Sequence, residues 1–180
     1  VLDGLQDYEF NQGAFYKGKS GEMFFGGQNG FNAFFPQQII DNRHIPPVHI
    51  SSFKIYGKDV AQDTNISEKR FIELSYTDNF FSFDFVALDF ILPAKNIYSY
   101  KMEGLDEDWN PPSSRRYASY TDLSGGNYIF RVKAANNDGI WNEEGASIRI
   151  RINPPFWKTK WFYALCVLFG VLSVFLFISI

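Results

Sequence analysis

Residues 98–141 read YSYKMEGLDEDWNPPSSRRYASYTDLSGGNYIFRVKAANNDGIW. The fold is decided here. The stretch holds strongly alternating runs, a Trp after each, and three spaced tyrosines, Tyr100, Tyr120 and Tyr128. Tyr128, Phe130, Val132 and Ala134 fall on one face of an extended segment. Asn127, Arg131 and Lys133 fall on the other, with Ile129 as the apolar exception. An alternation of period two is the mark of a strand buried on one side.

Outward from this stretch the same pattern repeats. Strands are predicted over 48–56 and over 70–76, the latter with Ile72, Leu74 and Tyr76 on one face. Another is predicted over 79–87, where Phe81, Phe83 and Phe85 alternate with Ser82 and Asp84. Further strands follow at 97–102 (Tyr98, Tyr100 and Met102 aligned), 115–121, 128–135 and 146–152. In the last, Ile148, Ile150 and Ile152 point inward and Arg149 and Arg151 outward. Seven short strands separated by turn signals predict an all-β, immunoglobulin- or fibronectin-III-like β-sandwich over 48–153. Leu123-Ser124-Gly125-Gly126-Asn127-Tyr128 reads as a tyrosine corner, with the Tyr128 ring buried and its hydroxyl bonded to upstream backbone.

Composition agrees. Of 180 residues, 19% are aromatic, with 20 Phe and 10 Tyr, which favours strands and supplies core area. A net charge of −3 gives no broad basic surface for nucleic acid. The single cysteine, Cys166, excludes an internal disulfide framework and reads as a small hydrophobe. The chain opens VLDG without Met or signal peptide and closes inside an apolar run, so a segment of a longer protein is expected.

The flanks differ in kind. Residues 1–41 alternate short aromatic strands (14–17, 22–26, 31–35) with glycine turns, and 42–47 (NRHIPP) form a proline-stiffened linker. Residues 154–160 (PPFWKTK) make a short rigid collar. Residues 161–180 (WFYALCVLFGVLSVFLFISI) carry no charge, and thirteen of them are Leu, Ile, Val or Phe. Twenty such residues match a bilayer core as a helix and favour insertion by at most roughly 4–8 kcal/mol. A transmembrane helix is expected there, with Trp157, Trp161 and Tyr163 at the interface. Lys158 and Lys160 flank it on the sandwich side, against the positive-inside rule if that side is outside the cell.

The segment G-x-F-Y-K-x-x-x-G-E-M-F-F-G-G-x-x-G-F-x-x-F-x-P at 13–36 resembles one blade of the β-propeller repeats of two-component regulators. An ordinary β-meander is the alternative. Residues 48–160 resemble the three-Y domain of the same regulators. The resemblance rests on Tyr100 in Y-x-M-E-G-L-D-E-D-W, Tyr120 in A-S-Y-T-x-L and Tyr128 in G-N-Y-x-F-x-V-x-A, followed by N-N-D-G-I-W-N and P-P-F-W-K-T-x-W-F. The order of blade, three-Y domain and helix is similar to the hybrid two-component sensors of gut Bacteroidetes. The resemblance implies an inner-membrane protein with 1–160 periplasmic. It implies propellers upstream that bind an oligosaccharide, and a histidine kinase, receiver and DNA-binding output downstream. This segment would then be a signal-coupling module, working as a homodimer against the lipid bilayer, with Pro154, Pro155, Trp157 and Trp161 as its coupling joint.

No catalytic, cofactor-binding or metal-ligating residue is expected. His44 and His49 have no third ligand in pattern. Glu103, Asp106, Glu107 and Asp108 lack the spacing of a calcium loop and read as a solvated turn with Trp109 packed beneath. Asn136-Asn137-Asp138-Gly139 reads as a hairpin turn, and Asn65-Ile66-Ser67 as an acceptor pattern for N-glycosylation that a bacterium leaves unmodified. The competing reading is a carbohydrate-binding or adhesive sandwich, with Tyr117, Trp141 or Trp157 stacking on sugar rings.

Overall fold

The computed structural model describes residues 4–60, 66 and 69–179, the side chains at 176 and 179 excepted. The chain divides into two compact units, residues 1–44 and 45–180.

The first unit is a three-stranded antiparallel sheet in the order β1-β2-β3, built from β1 (Phe10–Lys17), β2 (Met23–Gly27) and β3 (Gly30–Phe34). Gly27 pairs with Gly30 across the expected Gln28-Asn29 turn, and Gly30 has φ 121°, a conformation that needs glycine. Aromatic rings line the sheet. Phe25 stacks on Phe34 at 5.8 Å, and Phe24 sits 6.2 Å from both Tyr16 and Phe31. Yet none of the described residues of this unit is fully buried. The propeller blade expected here is met by three strands, one short of the four of a propeller blade.

The second unit is a sandwich of two four-stranded sheets. Its strands are β4 (Val48–Ile55), β5 (Lys58–Asp59), β6 (Phe71–Leu74), β7 (Phe80–Ala87), β8 (Ile97–Glu103), β9 (Tyr117–Thr121), β10 (Gly126–Ala135) and β11 (Trp141–Ile152). One sheet runs β6-β11-β10-β8 and the other β5-β4-β7-β9. β7 shows why the sequence does this: Phe81, Phe83, Phe85 and Ala87 are buried, and the residues between them are not. They meet Phe130 and Val132 of β10 and Ile148 and Ile150 of β11 in one core. Phe83 and Phe130 stack across the two sheets with centroids 4.4 Å apart and planes at 11°.

Several expectations are corrected in detail. β6 ends at Leu74, so Tyr76 lies outside the strand and is half-exposed rather than in the core. The turn that removes it is held by Asp78, whose carboxylate accepts the Ser75 N–H at 2.9 Å. β6 joins β11 in parallel. The short strand β5 was not expected. β11 starts at Trp141, not at 146, because an irregularity between Val132 and Ala134 interrupts the alternation there. Opposite it lies Gly145, at φ 59°, where an added Cβ would lie 2.1 Å from the Val132 carbonyl oxygen.

The described structure ends in α1 (Lys160–Ser179), apolar around its circumference and, among the described side chains, exposed except at half-buried Phe162. Among the described residues no helix is long and apolar enough to cross a membrane. The helix expected over 161–180 is present over Lys160–Ser179.

Candidate functional site

Several side chains converge where β11 passes into α1. The Asn153 N–H donates to the Leu74 carbonyl at 2.9 Å, and the Asn153 side-chain amide donates to Glu73 Oε1 at 2.9 Å. The end of β11 is thus tied to β6. Pro154 lies so close to Gly125 that an added Cβ on Gly125 would meet Pro154 Cα and Cβ at 2.9 Å. Pro155 is buried and accepts the Lys158 N–H at 2.9 Å, opening a single 3₁₀ turn over Phe156–Lys158. Trp157 meets Tyr76 edge-on at 5.3 Å. Phe156 meets Phe162, in the first turn of α1, at 5.6 Å.

Of the residues the sequence placed in this joint, Pro154, Pro155 and Trp157 lie against the sandwich. Trp161 is exposed on α1, its ring 6.1 Å from that of Phe162. Sequence reasoning missed Tyr76, Gly125, Glu73 and Asn153. Thr77-Asp78-Asn79 was the available signal that the strand stops before Tyr76.

The three tyrosines do different things. Tyr100 is half-buried, its ring 5.8 Å from Phe85 and 6.2 Å from Phe130. Tyr120 is buried, 5.9 Å from Phe81 and edge-on to Phe130 at 6.1 Å. Among the described residues its hydroxyl has no hydrogen-bond partner. Burial, and then the Asp106 charge, push its ionisation far above the usual phenol range, which removes it from acid–base chemistry. The Tyr128 hydroxyl donates to the Ser124 carbonyl at 2.9 Å. Its ring is half-buried rather than buried, so solvent reaches that bond. Tyr98, aligned in the sequence with Tyr100 and Met102, is buried most deeply of the four; its hydroxyl oxygen accepts the Ala87 N–H at 3.2 Å and so ties β8 to β7 of the opposite sheet.

The acidic turn is built as a turn. Asp106 accepts the Met102 N–H at 2.7 Å, and Glu103 accepts from Arg131 Nε at 2.6 Å. Trp109 lies under two cations, Lys101 at 5.3 Å and Lys133 at 4.8 Å. Asn136 is buried and its side-chain oxygen accepts the N–H groups of Asp138 and Ile140, each at 3.0 Å, which closes the turn at Gly139. His44 and His49 are exposed. Among the described residues no group of three or more His, Cys, Asp or Glu side chains is placed to hold a metal ion. Of the Asn65-Ile66-Ser67 pattern only Ile66 lies within the described residues.

The rings considered for sugar stacking are already in contact with the chain itself. Arg115 covers Tyr117 at 4.0 Å, Lys133 lies 5.2 Å from the Trp141 ring centre, and Tyr76 meets Trp157.

Comparison with known proteins fits this arrangement. Residues 89–153 match the Y_Y_Y domain. The chain is 37% identical over 175 residues to Histidine kinase P4 of Formosa agariphila, a match covering 92% of this chain and 13% of that protein. Among solved structures it is similar to the extracellular domain of the hybrid two component system BT3049 from B. thetaiotaomicron. That match has 29% identity, a TM-score of 0.72, and coverage of 85% of this chain and 21% of the other. It is also similar to the extracellular domain of the one component system BT4673 from the same organism, at 27% identity and TM-score 0.58, covering 79% and 20%. The chain thus spans about an eighth of the curated relative's length and resembles the extracellular part of sensor proteins.

Proposed function

We propose that this chain is the periplasmic coupling segment of a transmembrane two-component sensor. In this reading, propellers upstream bind an oligosaccharide, and a dimer of such segments changes its separation or angle. The change passes through α1 to a cytoplasmic histidine kinase. Residues 1–41 supply a blade that is completed by its neighbours; their aromatic rings, none fully buried, are surface that adjoining blades would cover. The sequence run 161–180 crosses the inner membrane, since twenty residues at about 1.5 Å each reach about 30 Å, the thickness of a bilayer core. That run includes Ile180, beyond the described residues.

The observation that carries the reading is the clamped joint. A flexible linker would let the sandwich move without moving the helix. Here two prolines limit the backbone, Pro154 abuts Gly125, and Trp157 lies on Tyr76. A displacement of the sandwich therefore reaches α1 with little slack.

The test is a short Gly/Ser insertion after Asn153 in the membrane-inserted parent protein. Rigid transmission requires that ligand-dependent kinase output fall to the unliganded level while ligand affinity is kept. Unchanged output would refute it.

A further inference from the structure

A basic groove lies on the outer face of the β6-β11-β10-β8 sheet, remote in role from the joint. It encloses about 360 Å³ and is lined by Arg70, Arg131, Arg149, Ser147 and Ile129. The register explains the convergence. Arg149 stands opposite Ile129 and Ser147 opposite Arg131 across β10 and β11, and the Arg149 N–H donates to the Arg70 carbonyl at 3.1 Å. Three guanidinium groups, from β10, β11 and the residue just before β6, thus share one hollow with Ile129 in its lining.

Their charges are not balanced. Arg131 is engaged by Glu103 at 2.6 Å. Among the described residues Arg70 and Arg149 have no carboxylate partner. Like charges on adjacent strands repel, and the chain as a whole is acidic, at net −3. A concentration of unpaired guanidinium on an acidic protein is relieved by an anion, and a guanidinium fork matches the paired oxygens of sulfate or phosphate. Ser147 adds a hydroxyl donor at the rim. We propose that this groove is a binding site for a sulfate- or phosphate-type oxyanion, free or carried as an ester. Arg70 and Arg149 hold the anion, and Arg131 is oriented toward it by Glu103. Arg149 is exposed, so the site is weak and salt-sensitive.

The experiment uses the full chain in neutral detergent micelles, titrated with sodium sulfate at constant ionic strength made up with chloride. Arginine Nε–H NMR signals report occupancy, and thermal unfolding of each variant checks that it is folded. Saturable shifts centred on Arg70 and Arg149 are expected. Affinity should fall at least about tenfold in Arg149→Ala and in Arg70→Ala, the scale of one lost charge-assisted hydrogen bond. It should be largely kept in Arg149→Lys. Arg151→Ala, next along the same face of β11 but opposite Glu73, should bind as the parent does. Shifts that never saturate, that chloride reproduces, or that Arg151→Ala weakens equally would overturn the proposal. Glucose 6-sulfate and glucose distinguish the two sources. Tighter binding of the sulfated sugar than of inorganic sulfate at the same residues assigns the site to an ester; equal binding assigns it to the free ion.

Discussion

The Tyr76 and Trp157 rings meet edge-to-face, with centroids 5.3 Å apart and planes at 74°. Tyr76 follows β6, and Trp157 lies in the collar before α1, 81 residues later in sequence. An edge-to-face pair contributes about 0.5–1.5 kcal/mol beyond the area it buries. Both rings are half-exposed, which favours the lower part of that range. A double-mutant cycle of Tyr76→Ala and Trp157→Ala, read by denaturant unfolding of the detergent-solubilised chain, should return a coupling of that size. Additive single effects would mean that the collar is held by its prolines alone.

Gly125 is the second contact of the joint, and it tolerates no side chain. A Cβ there would lie 2.9 Å from Pro154 Cα and Cβ and 3.0 Å from its nitrogen, atoms fixed to the backbone. Gly125→Ala should therefore shift Pro154 and cost about 1–3 kcal/mol, as overpacking does elsewhere. Its neighbour is the control: a Cβ on Gly126 meets only the Tyr128 ring, at 3.5 Å and beyond. Equal unfolding midpoints for the two alanine variants would contradict the packing described here.

The Phe130 ring stands at the centre of the aromatic core, stacked on Phe83 at 4.4 Å and within 6.2 Å of Tyr100 and Tyr120. Phe130→Ala should cost about 3–5 kcal/mol, because the surrounding rings cannot collapse into the space. Tyr128→Phe should cost far less, about 0.5–1.5 kcal/mol, since its hydroxyl bond to Ser124 is reached by water. Chemical unfolding of both variants tests the ranking. A reversed order would mean that the corner, not the core, limits stability.

The sandwich was legible in the sequence because its core strands bury one face and wet the other. Phe81, Phe83 and Phe85 announce that alternation residue by residue. Its failures are equally physical. Gly145 and the irregularity after Val132 hide the first five of the twelve residues of β11, since a bulge breaks the period. Tyr76 continues the apolar face of Ile72 and Leu74 in sequence, but Asp78 turns the chain before the strand reaches it. The joint was legible only by half. Two consecutive prolines mark stiffness in any sequence, whereas the fit of Pro154 on Gly125 depends on strands that meet only after folding. The groove of Arg70, Arg131 and Arg149 left no local signal, because its members come from two strands and the approach to a third and converge through register.

Lys54 gives the fold a dependence on pH whose sign can be worked out. Its ammonium donates to the Asp84 carboxylate across the β4–β7 pair. That hydrogen bond, and then the attraction of the Asp84 charge, raise the Lys54 pKa above its ordinary value of 10.5. A cation whose pKa is higher in the folded state than in the unfolded state stabilises folding while both are protonated. That contribution is lost as pH rises through the folded value. The pair should therefore act at full strength through neutral pH and fade only above about 10.5. Thermal unfolding of the parent and of Lys54→Met should differ by a constant small amount from neutral to mildly alkaline pH, and the two should converge above that point. The pair is partly solvent-exposed, so added salt should shrink the difference as well. A difference that persists unchanged into strong alkali would show that Lys54 acts through the packing of its alkyl chain on β7 rather than through its charge.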